Sequence, residues 1–121
     1  MSSFPKIDMH QHASSKSYLP DGTPVPNAVT GKPAIATTDE EVLHLTLEYM
    51  DKNNIEKSII TSSLKNVYRW MDYAPDKFIP GICMTTTMMG EPYPDPEMLR
   101  GEIKAGKIKV MGEIAAMYDG V

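Results

Sequence analysis

The chain has 121 residues, and its 16 acidic and 12 basic side chains give a net charge of −4 at neutral pH. The basic residues are scattered, which argues against a nucleic-acid partner or an anionic membrane surface, because both need clustered lysine and arginine. Cys83 is the only cysteine, so an intramolecular disulfide and a cysteine metal cluster are excluded. The start has no secretory signal and no apolar run is long enough to cross a membrane, so we expect a cytoplasmic protein.

The first predicted strand is short and ends in polar residues. It covers Lys6–His10, with Ile7 and Met9 on one face and Asp8 and His10 on the other. Residues 13–37 then form a segment rich in Ser, Pro and Gly that has no useful period. A loop of that length within a compact domain tends to be a lid or a binding loop.

A helix and a second strand follow this loop. Thr38 and Glu41 have the spacing of a capping box, which satisfies free N–H groups where a helix begins. The pair Asn53-Asn54 can adopt the left-handed backbone that ends a helix. Ile59 and Ile60 then mark the second strand.

The remaining elements continue the alternation. A second helix is predicted after Ser62 or Ser63 and ends at Pro75, and residues 78–84 read as a third strand. Within that strand Pro80 suggests a bulge or a strand edge, because proline cannot donate to the ladder.

The last helix and strand also have clear boundaries. The sequence Asp95-Pro96-Glu97 is typical of a helix start, with an N-cap acid and proline at the first helical position. Gly106 is expected to end this helix, and residues 108–115 read as a fourth strand.

The order β-α-β-α-β-α-β predicts one α/β domain over residues 1–121, with a parallel sheet and right-handed crossovers. Two architectures fit this order. One is the N-terminal half of a TIM-type (β/α)8 barrel, and the other is a small open parallel αβα sheet. In both, functional residues are expected at the carboxyl ends of the strands.

His10 and His12 form the sharpest chemical feature. Residues i and i+2 of an extended strand project to the same face, so the two imidazoles could share one metal ion. Asp8 is expected on that face one step deeper, where it could orient a ligand histidine. The alternative interpretation is two polar residues at the entrance of a loop.

Glu113 is the third candidate ligand, at the far end of the fourth strand. A carboxylate there could bind the metal or bridge two metals. The alternative is a solvent-exposed glutamate paired with a lysine such as Lys109. His44 fits a structural or surface role better than a catalytic one, and Cys83 fits a buried inert thiol better than a nucleophile.

Four segments in order resemble the amidohydrolase superfamily, in particular the amidohydrolase-related (type 2) metal-dependent hydrolases. These segments are IDMHQH, LEYMDKNNIEKSIITS, APDKFIPGICM and KIKVMGEIAAMYDG. The resemblance implies an eight-stranded barrel with one or two divalent ions, of which zinc is expected and manganese or iron are alternatives. It carries metal ligation over to His10 and His12, and to Glu113 as in some branches of the family.

The implied activity is hydrolysis of a small-molecule amide, ester or lactone, in which a metal-activated water attacks the carbonyl carbon. Decarboxylation or hydration at the same site is an alternative, as is a non-catalytic half-barrel that binds or oligomerises. A complete barrel needs about 250 residues, so the resemblance covers the N-terminal half only. The general base and the other ligands are expected beyond Val121. The exposed strand edges of a half-barrel are expected to favour a homo-oligomer and to leave little activity.

Overall fold

The computed structural model describes residues 4–13, 25–84 and 94–114, without the side chains of Met84, Glu113 and Ile114. Over these residues, four parallel strands alternate with three helices, which confirms the predicted α/β class. The elements in chain order are β1 (Lys6–His12), α1 (Asp39–Lys52), β2 (Ile55–Thr61), α2 (Leu64–Tyr73), β3 (Phe78–Met84), α3 (Pro96–Lys104) and β4 (Val110–Ile114).

The predicted loop 13–37 is described in part. Residues 14–24 of it lie outside the described residues, and residues 25–37 contain neither helix nor strand. Within the latter, Asn27 organises a turn. Its side-chain oxygen accepts the N–H groups of Val29 and Thr30, both at 2.9 Å, which is the local competition with regular structure expected of asparagine.

The helices begin where their capping residues predict. At α1 the Thr38 hydroxyl accepts the N–H of Glu41 at 3.2 Å, and the Glu41 carboxylate accepts the N–H of Thr38 at 3.1 Å. Hydrogen bonds from Thr37, and then from Thr38, hold the pKa of Glu41 below its ordinary value. At α3 the Asp95 carboxylate accepts the N–H of Met98 at 2.8 Å. These caps satisfy amides that have no partner within the helix.

The predicted helix ends are confirmed by two left-handed residues. Asn54, after α1, has φ of 56°, and Gly106, after α3, has φ of 73°. Both residue types tolerate this backbone region, and each turns the chain back towards the next strand.

The sheet has the sequential order β1-β2-β3-β4 and is curled. Thr61 of β2 shows the curl, because its Cγ2 atom lies only 2.9 Å from the position of a Cβ at Gly112 of β4. Strands two places apart in a flat sheet would be separated by about 10 Å. The sheet therefore bends towards this side, which we call the concave face.

The hydrophobic core lies on the opposite side, which we call the helix face. Ile60 of β2 and Ile82 of β3 pack there with Leu43 of α1, and with Val67 and Trp70 of α2. The rings of Trp70 and Phe78 are 5.2 Å apart between centroids. One face of the sheet thus buries most of the apolar surface, which is the main favourable term in folding.

Pro80 corrects one prediction. It lies in β3 opposite Ile60 with no register shift, so it marks no bulge, and the pairing of β3 with β4 begins at the next residue, Gly81. Its carbonyl accepts the N–H of Lys109 at 2.8 Å. Lys109 directly precedes Val110, the first residue of β4. The N–H group that Pro80 lacks would therefore have pointed to the start of β4, where the ladder is only beginning.

Helices α2 and α3 are joined through a polar contact. The Tyr68 hydroxyl donates a hydrogen bond to the Glu102 carboxylate, and the Lys107 ammonium lies 3.6 Å from the same carboxylate. Burial, together with the neighbouring Glu102 charge, raises the pKa of Tyr68 to about 12.

Candidate functional site

The two histidines at the carboxyl end of β1 face each other. The Nε2 atoms of His10 and His12 are 3.0 Å apart, and the rings meet edge to face at an interplanar angle of 75°. Two nitrogen ligands of a tetrahedral zinc ion would be about 3.3 Å apart, given Zn–N distances of about 2.0–2.1 Å. The two lone pairs are thus arranged to share a proton or, with a small adjustment, one divalent ion.

These rings remain accessible from outside the protein. His10 is exposed and His12 is half-buried, whereas Ala13, the next residue, is completely buried. The chain is anchored at this point because the N–H of Ala13 donates to the carbonyl of Thr61 at 3.1 Å. The imidazoles therefore stand at the end of a fixed strand, where a solute can reach them.

A register shift interrupts β1 between Asp8 and Gln11, a stretch that includes His10. Asp8 pairs with Ser58 and Gln11 pairs with Ile60, so three steps along β1 correspond to two steps along β2. This is a β-bulge, with its extra residue at Met9 or His10. Asp8 therefore shares the helix face with Ser58 and Ile60, and its predicted place on the same face as the histidines is wrong.

Asp8 nevertheless contacts the histidine segment. Its Oδ1 atom accepts the backbone N–H of His10 at 3.0 Å. The Gln11 side chain makes a second local bond, donating to the carbonyl of His12 at 3.1 Å. Neither bond was predicted from the sequence, although an aspartate two residues before a backbone N–H is a known local signal for such a turn.

Glu113 belongs to β4, as predicted, but its side chain lies outside the described residues. Another register shift, between β3 and β4, occurs beside it, because Cys83 pairs with Gly112 and Met84 pairs with Ile114. Among the residues that the structure describes, no group of three or more His, Cys, Asp or Glu side chains is placed to hold a metal ion. The described part of the site is thus the His10–His12 pair.

The other two sequence candidates lie elsewhere. His44 is exposed on α1, where its Nε2 is 3.1 Å from the Glu40 carboxylate and its ring stacks edge to face on Tyr73. Cys83 is a buried thiol in β3. The exposed position of His44 agrees with the surface alternative predicted for it, and the burial of Cys83 agrees with the buried thiol predicted there.

A cavity of about 510 Å³ lies at the other end of the sheet. It is formed by residues near the amino ends of β2, β3 and β4, including Lys57, Phe78 and Lys109, and by the end of α2. It is therefore separate from the histidine pair, which stands at the carboxyl end of β1. Within the described residues, no helix has the length and apolar character needed to cross a membrane.

The chain was compared with protein-family models, with curated proteins and with solved structures, and none of the three comparisons gave a match.

Proposed function

We propose that this chain supplies the first ligands of a metal-dependent hydrolase and binds one divalent ion, preferably zinc, through His10 and His12. The observation that carries the proposal is the 3.0 Å separation of the two Nε2 atoms at the carboxyl end of a parallel strand. The amidohydrolase-like sequence IDMHQH, which contains both residues, supports it. Glu113, at the carboxyl end of β4, is included as a further ligand.

We also propose that β1 to β4 are half of a (β/α)8 barrel. The strand order supports this choice over a doubly wound sheet. In a doubly wound sheet the order in which successive strands are added reverses at a switch point, whereas in a barrel each strand lies next to the one before it. The order here is sequential from β1 to β4. The curl towards the concave face, seen in the approach of Thr61 to Gly112, is also the curvature that closure of a barrel requires.

A divalent ion held there would polarise a substrate carbonyl and lower the pKa of water, which is the chemistry of amide, ester or lactone hydrolysis. His10 and His12 contribute by presenting both Nε2 lone pairs to one point, which requires that each ring carry its proton on Nδ1. Because His10 is exposed, substrate can approach from the solvent side of the pair.

Zinc titration of the chelator-treated protein by calorimetry tests the metal site. We expect one equivalent to bind, and each of His10→Ala and His12→Ala to weaken binding at least tenfold, because each removes one of the two described ligands. His44→Ala is the matched control, since it removes the third of the three histidines from an exposed helix position. It should leave the affinity unchanged.

Two results would contradict the proposal. One is zinc affinity that stays the same in both His10→Ala and His12→Ala. The other is an equal loss in His44→Ala, which would indicate nonspecific binding by surface imidazoles. The reaction type has its own test: acid release from esters or lactones supports hydrolysis, whereas carbon dioxide release indicates the decarboxylase alternative.

A further inference from the structure

The bulge in β1 determines which face of the sheet carries the histidines. If β1 continued in the register set by Asp8 and Ser58, His10 would lie opposite Ile60 and its side chain would point into the helix face. The extra residue shifts the register by one, so that Gln11 takes the place opposite Ile60 and His12 pairs with Thr61. A shift of one residue moves all following side chains to the other face of a sheet.

The shift places the histidine side chains on the concave face. Thr61, the partner of His12, directs its Cγ2 atom towards Gly81 and Gly112 on that face. His10 joins His12 there, since their Nε2 atoms are 3.0 Å apart. Without the bulge, the imidazoles would compete for space with the buried apolar cluster around Ile60.

A bulge leaves backbone groups out of the ladder, and such groups need another partner. Asp8 provides one, because its Oδ1 accepts the His10 N–H at 3.0 Å. Asp8 as a residue is half-buried beside the bulge, and the bond itself is exposed to solvent.

We propose that Asp8 is a positioning residue that holds the β1 bulge and thereby aims His10 and His12 at a common point. It acts through the His10 backbone and does not bind the metal itself, because it lies on the helix face with Ser58. This inference rests on the proposed function, since it concerns the geometry of the same metal site.

Three substitutions separate position from charge. Asp8→Asn keeps an oxygen at the same distance from the backbone and loses the charge, so zinc affinity should stay within about threefold of wild type. Asp8→Glu keeps the charge but moves the carboxylate one methylene away, so affinity should fall about 10–100-fold, the usual cost of losing a partner that orients a ligand. Asp8→Ala should lower zinc affinity by the same factor. Asp51→Ala, at an exposed position of α1, is the control for the loss of one negative charge.

The outcomes are distinguishable from failure of the proposed function. Zinc binding that depends on His10 and His12 but is unchanged in Asp8→Glu and Asp8→Ala would overturn only the role of Asp8. Equal losses in Asp8→Asn and Asp8→Glu would also overturn it, because they would indicate a ligand or charge role. The His10 amide proton resonance provides a second measurement: it should move upfield in Asp8→Glu and stay in place in Asp8→Asn.

Discussion

The first two strands of the sheet are equal in length and paired to each other, yet they have different surroundings. β2 lies between β1 and β3, keeps a regular register against β3, and buries four consecutive residues from Ser58 to Thr61. β1 is at the end of the described strand order, pairs with β2 through two register shifts, and buries none of its seven residues. The comparison indicates that β2 stabilises the fold, while β1 can accept a bulge and carry exposed ligands at little cost.

Truncation of one apolar side chain in each strand should show the largest difference. Ile60 of β2 is fully buried in the core, whereas Met9 of β1 is 69% exposed. Ile60→Ala should lower the free energy of unfolding by about 2–5 kcal/mol, through lost burial and the cavity left behind. Met9→Ala should change it by no more than about 0.5 kcal/mol. Urea denaturation of the two variants measures both values, and similar losses would refute the contrast.

A second prediction tests whether β2 is also tightly packed on the concave face. A methyl group at Gly112 would lie 2.9 Å from Thr61 Cγ2, so Gly112→Ala should cost about 1–3 kcal/mol of unfolding free energy. Thr61→Ser removes that Cγ2 atom and should relieve the cost. A double-mutant cycle in urea should therefore give a coupling free energy of at least about 0.5 kcal/mol.

Gly101→Ala is the control for this cycle. Gly101 is in the interior of α3, and a Cβ there would have no heavy atom within 4 Å. The substitution should stabilise the protein by about 0.5–1 kcal/mol, because alanine loses less backbone entropy than glycine. Additive effects of Gly112→Ala and Thr61→Ser would contradict the close approach of Thr61 to Gly112 on the concave face.

A third prediction concerns pH and Tyr68 of α2. The folded protein favours the neutral phenol of Tyr68, whose pKa is raised from about 10 to about 12. This contribution to stability is complete below about pH 10 and is lost as the pH rises towards 12. Between about pH 10 and pH 12, the wild type should therefore lose unfolding free energy relative to Tyr68→Phe. A constant difference from pH 8 to pH 12 would contradict the assignment.

The sequence predicted the features that depend on neighbouring residues. The capping box of Thr38 and Glu41, the Asp95-Pro96 helix start and the alignment of His10 with His12 are all local patterns, and all three are present. The errors at Asp8 and Pro80 have another origin. A bulge, and the level at which a neighbouring strand begins, are properties of two paired strands, so the periodicity of one strand does not reveal them.

The central claim is that the Nε2 atoms of His10 and His12 bind one ion together. Long-range ¹H–¹⁵N spectra of the uniformly labelled protein resolve the ring nitrogens of its three histidines during a zinc titration. We predict that the Nε2 resonances of His10 and His12 shift together and saturate at one equivalent, while those of His44 stay in place. A shift of His44 equal to theirs, or no shift of the pair at all, would contradict the account.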